Sequence, residues 1–102
     1  MRPTATAPSA GCDLDRPYRL GPQVSVRPEP FGALVYDFDS RRLSFLKSRM
    51  LLDVVRALEA SDSARAACRA AGVPAAELPA YAAALDRLAA TRLIVEREAV
   101  AA

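Results

Sequence analysis

Histidine does not occur anywhere in the 102 residues, and cysteine occurs only twice, at Cys12 and Cys68, too far apart in sequence to form a metal-binding knuckle. With the commonest complementary ligand missing as well, a structural or catalytic metal has no donor set. There is no cysteine triplet for an iron–sulfur cluster, no glycine-rich loop for a phosphate and no pair of carboxylates sharing one face. The usual groups for acid–base or nucleophilic catalysis are therefore absent, and the chain reads as a non-enzyme that needs no cofactor. No stretch approaches the ~18 to 20 apolar residues required to cross a bilayer, and the start has no apolar region of secretory length, so a cytoplasmic protein with reduced thiols is expected. Cys68 lies among alanines at helical spacing and reads as a small buried hydrophobe; Cys12 reads as an exposed thiol without a role. Charge of one sign is also lacking. The formal net charge is +2, with basic and acidic residues interleaved over both halves, so no field gathers a polyanion and nucleic acid is not an expected partner.

What is present suits one small domain. Apolar residues make up 52% of the chain, a figure raised by alanine, which buries little area per residue. Residues 1–16 combine Pro3, Pro8 and Gly11 with small residues at neither strand nor helix period, and are expected to be a disordered tail closed by Pro17. Residues 17–96 hold the folded unit of roughly 75 to 85 residues, and residues 97–102 are expected to fray.

Within that unit "QVSVRP" alternates Val24 and Val26 with Gln23, Ser25 and Arg27 before Pro28 and Pro30, as a short half-buried strand does. "FGALVYDF" places Leu34, Tyr36 and Phe38 on one face and Ala33, Val35 and Asp37 on the other. "DSRR" then supplies turn chemistry, and in "RLSFL" Leu43 and Phe45 share a face, completing a hairpin. The period then changes. Leu51, Val54, Val55 and Leu58 recur at helical spacing behind Ser48, a suitable N-cap, predicting a helix over about 49–59. Ala64, Ala67, Cys68 and Ala71 form a second, thin-faced helix, capped within Ser61–Ser63 and ended by Gly72. Pro79 is best placed as the first residue of a third helix, running to about 91, with Tyr81, Ala82, Leu85, Leu88 and Ala89 in one apolar stripe and Asp86 and Arg87 facing water. Leu93, Ile94 and Val95 close the core as a last turn or a short extended segment. No internal repeat appears. The sum is an α+β, winged-helix-like domain: a three-stranded antiparallel sheet followed by three helices packed on one face. One sheet edge is blunted by Pro28 and Pro30, whereas the "RRLSFL" edge has no proline and is open to a guest strand.

These pieces, "YRLGPQVSVRPEPFGALVYDF", "LSFLKS" and "LDRLAATRLIVE", resemble over about residues 16–96 the precursor-peptide recognition domains of ribosomally made, modified peptides. Among these the likeness is to the peptide chaperone family of mycofactocin biosynthesis, itself similar in plan to the pyrroloquinoline quinone peptide chaperone. The resemblance implies a protein that binds the leader of a short precursor peptide as an added strand and presents it to a radical S-adenosylmethionine maturase. It implies a site along Arg42, Leu43, Ser44, Phe45 and Leu46, in a cleft against the third helix with Tyr81, Leu85, Leu88 and Arg92.

Plainer readings stand beside it. The face carrying Leu43 and Phe45 is expected to be the core, so that a guest would use the backbone edge and only the rims of those side chains. The stripe of the third helix is core by default, Arg41 and Arg42 form a solvated turn, and "RPEPFG" shapes a bend. As alternatives to peptide presentation, an open edge also suits an adaptor or a homodimerisation module, with the protein a monomer or weak dimer. A DNA-binding winged helix would need several polar or basic residues along one exposed side of its recognition helix, and the third helix offers little beyond Arg87.

Overall fold

The alternation read from "QVSVRP", "GALVYD" and "RLSFL" is realised as an antiparallel meander in the computed structural model, which describes residues 12–97. Strands β2 (Val24–Glu29), β3 (Gly32–Asp37) and β4 (Arg42–Leu46) lie side by side in that order; β1 (Tyr18–Leu20) precedes them. Helices α1 (Arg49–Ala57), α2 (Ala64–Ala71) and α3 (Leu78–Ala90) follow, and β5 (Ile94–Glu96) returns to pair antiparallel with β1. The expected α+β plan, a three-stranded antiparallel sheet followed by three helices, is therefore present, with a second, two-stranded sheet added to it. The tail expected over residues 1–11 and the frayed end over 98–102 lie outside the described residues.

Local chemistry accounts for the helix limits. Ser48 and Ser63 cap α1 and α2, their hydroxyls accepting from the N–H groups of Leu51 at 3.1 Å and Ala66 at 3.0 Å. Gly72 ends α2 in the left-handed conformation, with the Val73 N–H on the Cys68 carbonyl and the Gly72 N–H on that of Arg69. The end of α3 repeats this bonding: Leu93 N–H reaches the Leu88 carbonyl and Arg92 N–H the Ala89 carbonyl. Here, however, the left-handed position is filled by Arg92, at φ 64, where a side chain costs about 1 to 2 kcal/mol relative to glycine. Pro79 falls at the second helical residue, one later than expected; its missing N–H is harmless anywhere in the first turn.

Two further segments depart from expectation. Residues 12–16, assigned by the sequence to the tail, dock on the helices: the Leu14 and Arg16 carbonyls accept from Arg65 N–H at 2.9 Å and Ala64 N–H at 3.0 Å, two donors at the start of α2 that have no acceptor within the helix. Cys12 is accordingly half-buried instead of exposed, and its N–H donates to the Asp86 carboxylate at 2.6 Å. At the other end, Arg97 was expected to fray, yet its guanidinium donates to the carbonyls of Tyr18, Leu58 and Ser61.

The core lies between the three-stranded sheet and the helices. Val35, Val54, Leu58, Leu85 and Ile94 are among its fully buried side chains. α1 packs on β3 and β4, with Ala33, wholly buried, permitting close approach, while α3 packs chiefly on β5.

Candidate functional site

The β3–β4 register pairs Ala33 with Leu46, Val35 with Ser44 and Asp37 with Arg42 on the helix side, and Leu34 with Phe45 and Tyr36 with Leu43 on the other. This reverses the expected assignment for β4. Leu43 and Phe45 are not core: they remain 52% and 54% exposed, and Leu46, at 2%, is the β4 residue that enters the interior. The chain turns into α1 directly after Leu46, so the helix covers the face that Leu46 shares with the small residues Ala33 and Ser44. The bulkier face is left outside. Phe31 lies against Phe45 with ring centroids 5.9 Å apart, and Phe38 stands edge-on to Tyr36 at 4.9 Å, so the outer face carries an aromatic patch. Exposed apolar residues grouped in this way mark interaction surfaces more often than isolated ones do.

Among the described residues β4 pairs only with β3, leaving its other edge without a strand. The opposite edge, β2, is interrupted by Pro28, which has no N–H to offer a guest. β4 is bracketed by cations: Arg41 and Arg42 at its start and Lys47 just beyond its end are all exposed, and no carboxylate stands between them.

The turn that launches β4 is organised by Asp37. Its carboxylate accepts from the N–H groups of Asp39 at 2.8 Å and Ser40 at 3.2 Å, while Arg41, left-handed at φ 62, donates to the Asp37 carbonyl at 2.7 Å. Burial disfavours the charged carboxylate, but these hydrogen bonds, with the Gln23 and Ser40 side chains, outweigh it and hold its pKa below the ordinary 3.8. Because the folded-state value is depressed, Asp37 contributes stability that is complete above the ordinary value and is lost as pH falls through the folded one. Asp37→Asn, which keeps the shape without the charge, should be less stable than the parent at neutral pH. It should also lose less of its stability on acidification from about pH 5 to about pH 2. Urea melts across that range provide the check, and superimposable acid limbs would remove Asp37 from the account.

The remaining predicted site residues lie elsewhere. Leu85 is fully buried and Leu88 is 9% exposed, so both hold α3 in the core; Tyr81 is half-buried against it. Arg92 is exposed, and its carbonyl accepts from the Gln23 amide at 3.2 Å, which places its backbone beside the approach to β2. The structure thus brings Arg42–Leu46 together as one edge, whereas Tyr81, Leu85, Leu88 and Arg92 belong to α3 and its cap. Sequence reasoning missed the outer aromatic face, although its signal was present in the shared parity of Leu34, Tyr36, Leu43 and Phe45.

Among the described residues the packing activates neither thiol. Burial pushes the Cys12 thiol up to about 11 and also raises that of Cys68, so both stay protonated at neutral pH. No group of three or more potential metal ligands is found among the described residues, and none of their helices is long and apolar enough to cross a membrane.

Fold and surface together define a class: a small α+β domain whose available features among the described residues are an unpaired strand edge and an exposed apolar sheet face. Comparison with known proteins gives the particular family. The profile of the Peptide chaperone MftB family matches residues 17–95. Peptide chaperone MftB of Mycobacterium ulcerans (strain Agy99) is 52% identical over 98 residues, covering 95% of this chain and 90% of that protein. Its namesake in Mycobacterium tuberculosis (strain ATCC 25618 / H37Rv) is 50% identical over 92 residues, 90% of this chain and 84% of the relative. No solved structure gives a significant match. The chain belongs to the Peptide chaperone MftB family.

Proposed function

We propose that this protein is a non-enzymatic peptide chaperone of mycofactocin biosynthesis, which binds the leader of a ribosomally made precursor peptide as a strand added to β4 and presents it to a radical S-adenosylmethionine maturase. The observation that carries this reading is the edge of β4, unpaired among the described residues and free of proline, in a chain whose relatives are named peptide chaperones. A guest strand gains affinity from main-chain hydrogen bonds and specificity from alternate side chains. Ordering a flexible leader costs on the order of 2 to 5 kcal/mol, which those bonds and the apolar contacts must exceed. Arg42–Leu46 supply the edge in this reading, and Tyr81, Leu85 and Leu88 act by holding α3 against the core, whereas Arg92, beside the approach to β2, lies away from that edge. With no reactive side chain of its own, the protein contributes by raising the local concentration of the peptide at the enzyme.

Proline substitution tests the binding mode. Along an antiparallel strand, successive residues direct their N–H groups alternately to one neighbour and the other. Of the single proline variants at positions 43, 44 and 45, those whose N–H faces the free edge should keep the native circular dichroism spectrum and lose peptide binding, whereas those whose N–H pairs with β3 should be destabilised. Calorimetric titration with the leader peptide separates the cases. A folded set of variants that all bind normally would remove β4 from the interface. Mass spectrometry of maturase reactions with and without the protein tests presentation, and full peptide modification by the enzyme alone would make that role redundant.

A further inference from the structure

The strand-addition reading leaves the outer sheet face unexplained, because backbone pairing at the edge does not require Leu43 and Phe45 to be exposed. A strand laid beside β4 continues its pleat, so every second guest side chain stands on the outer face, directly beside Leu43 and then Phe45. The same parity carries forward to Lys47. At the other end, Arg41 and Arg42 are exposed, and none of these three cations forms an ion pair among the described residues. Across the strand, Phe31 and Tyr36 back the two apolar positions, Phe31 touching the Phe45 ring.

The geometry points to an occupant of defined chemistry: an extended peptide segment with two apolar side chains at positions i and i+2 on its outward side, flanked at both ends by carboxylates. The apolar pair covers Leu43 and Phe45 and joins the aromatic patch. One carboxylate meets Lys47 and the other meets Arg41 or Arg42. Because the flanking charges are alike, this pattern fixes the register of the guest but not its direction. The inference rests on the strand-addition reading and deepens it: the edge supplies the pairing, and the outer face adds a selection of sequence to it.

A random linear peptide library displayed on phage, panned against the full chain, tests this without prior choice of ligand. Enriched peptides should carry apolar residues two apart with Asp or Glu on both flanks. As synthetic peptides they should bind the double variant L43S/F45S about tenfold or more weakly than the parent, since both side chains are half-exposed and their loss leaves the fold intact. Lys47→Glu should weaken binding of the acidic peptide, and of the two peptides with a single flanking acid replaced by lysine, the one whose lysine meets position 47 should regain affinity for that variant. Parental affinity in L43S/F45S, or an enriched set without the pattern, overturns the inference. If the edge proline variants still lose binding in that event, strand addition survives and only the role of the face is lost; if they too bind normally, both readings fall. Recovery of no peptide also counts against the inference. If, in addition, light scattering finds a dimer that L43S/F45S disperses, a second copy of this chain is the occupant instead.

Discussion

Gly32→Ala is expected to lower the melting temperature by about 15 °C or more, or to prevent folding, because it places a side chain where the ends of two strands and the start of a helix meet. Gly32 holds φ at 149°, a conformation L side chains rarely adopt. Space is lacking too. A methyl group built there would fall on the Leu46 carbonyl oxygen and lie 2.8 Å from the Ser48 amide nitrogen, and both obstacles are backbone. Ser48 is the N-cap of α1, so relief by shifting that backbone would disturb the cap and the end of β4 together. Thermal denaturation followed by circular dichroism measures the effect. A transition within about 3 °C of the parent would mean that the β4–α1 corner yields easily, and the path by which β4 is positioned would need revision.

Arg97→Ala should cost about 2 to 3 kcal/mol, a large share of the stability of a domain this small. The guanidinium donates to the Tyr18 carbonyl at 3.1 Å and the Leu58 carbonyl at 3.5 Å, as well as to that of Ser61, which tie β1 to the segment that ends α1. Carbonyls at the end of a helix lack intrahelical partners and carry partial negative charge, so a cation there satisfies hydrogen bonds and complements the dipole. Its backbone N–H, bonded to the Pro17 carbonyl at 3.0 Å, survives the substitution. Arg97→Lys should recover only part of the loss, because one ammonium on a flexible stem does not replace a planar fork with several fixed donors. Urea unfolding should show a lower midpoint with an unchanged slope. Equal midpoints for the parent, R97K and R97A chains would show that β1 and β5 are held together without the clamp.

In the proposed strand-addition mode both effects bear on function through the same element. Gly32 sets where β4 ends, Asp37 sets where it begins, and Arg97 fastens the β1–β5 pair to the core that supports the sheet. A free edge accepts a guest strand only while it is held straight and in register. Preorganisation of that kind reduces the ordering cost that binding must overcome.

The pattern of residues was sufficient by itself for the three strands of the main sheet, the three helices, the Ser48 and Gly72 caps, the Ser61–Ser63 group within which α2 is capped, and the proline that blunts β2, because each depends on neighbours within a few positions. It also identified the "RRLSFL" strand as the edge without a blocking residue. Tertiary structure alone decided which face of that strand is buried. Alternation sorts residues into two faces, but the choice between them belongs to the helix that follows: α1 closes over Leu46 and leaves Leu43 and Phe45 outside. Tertiary structure also decided the pairing of β1 with β5, since three-residue strands are too short to display a period, and their register is set by partners more than seventy positions apart. The docking of residues 12–16 and the clamp at Arg97 were hidden for the same reason. The carbonyls of residues 12–16 answer free N–H groups at the start of α2 and the Arg97 guanidinium answers carbonyls of β1 and of the turn after α1, and those groups come within reach only after the core has brought distant parts of the chain together.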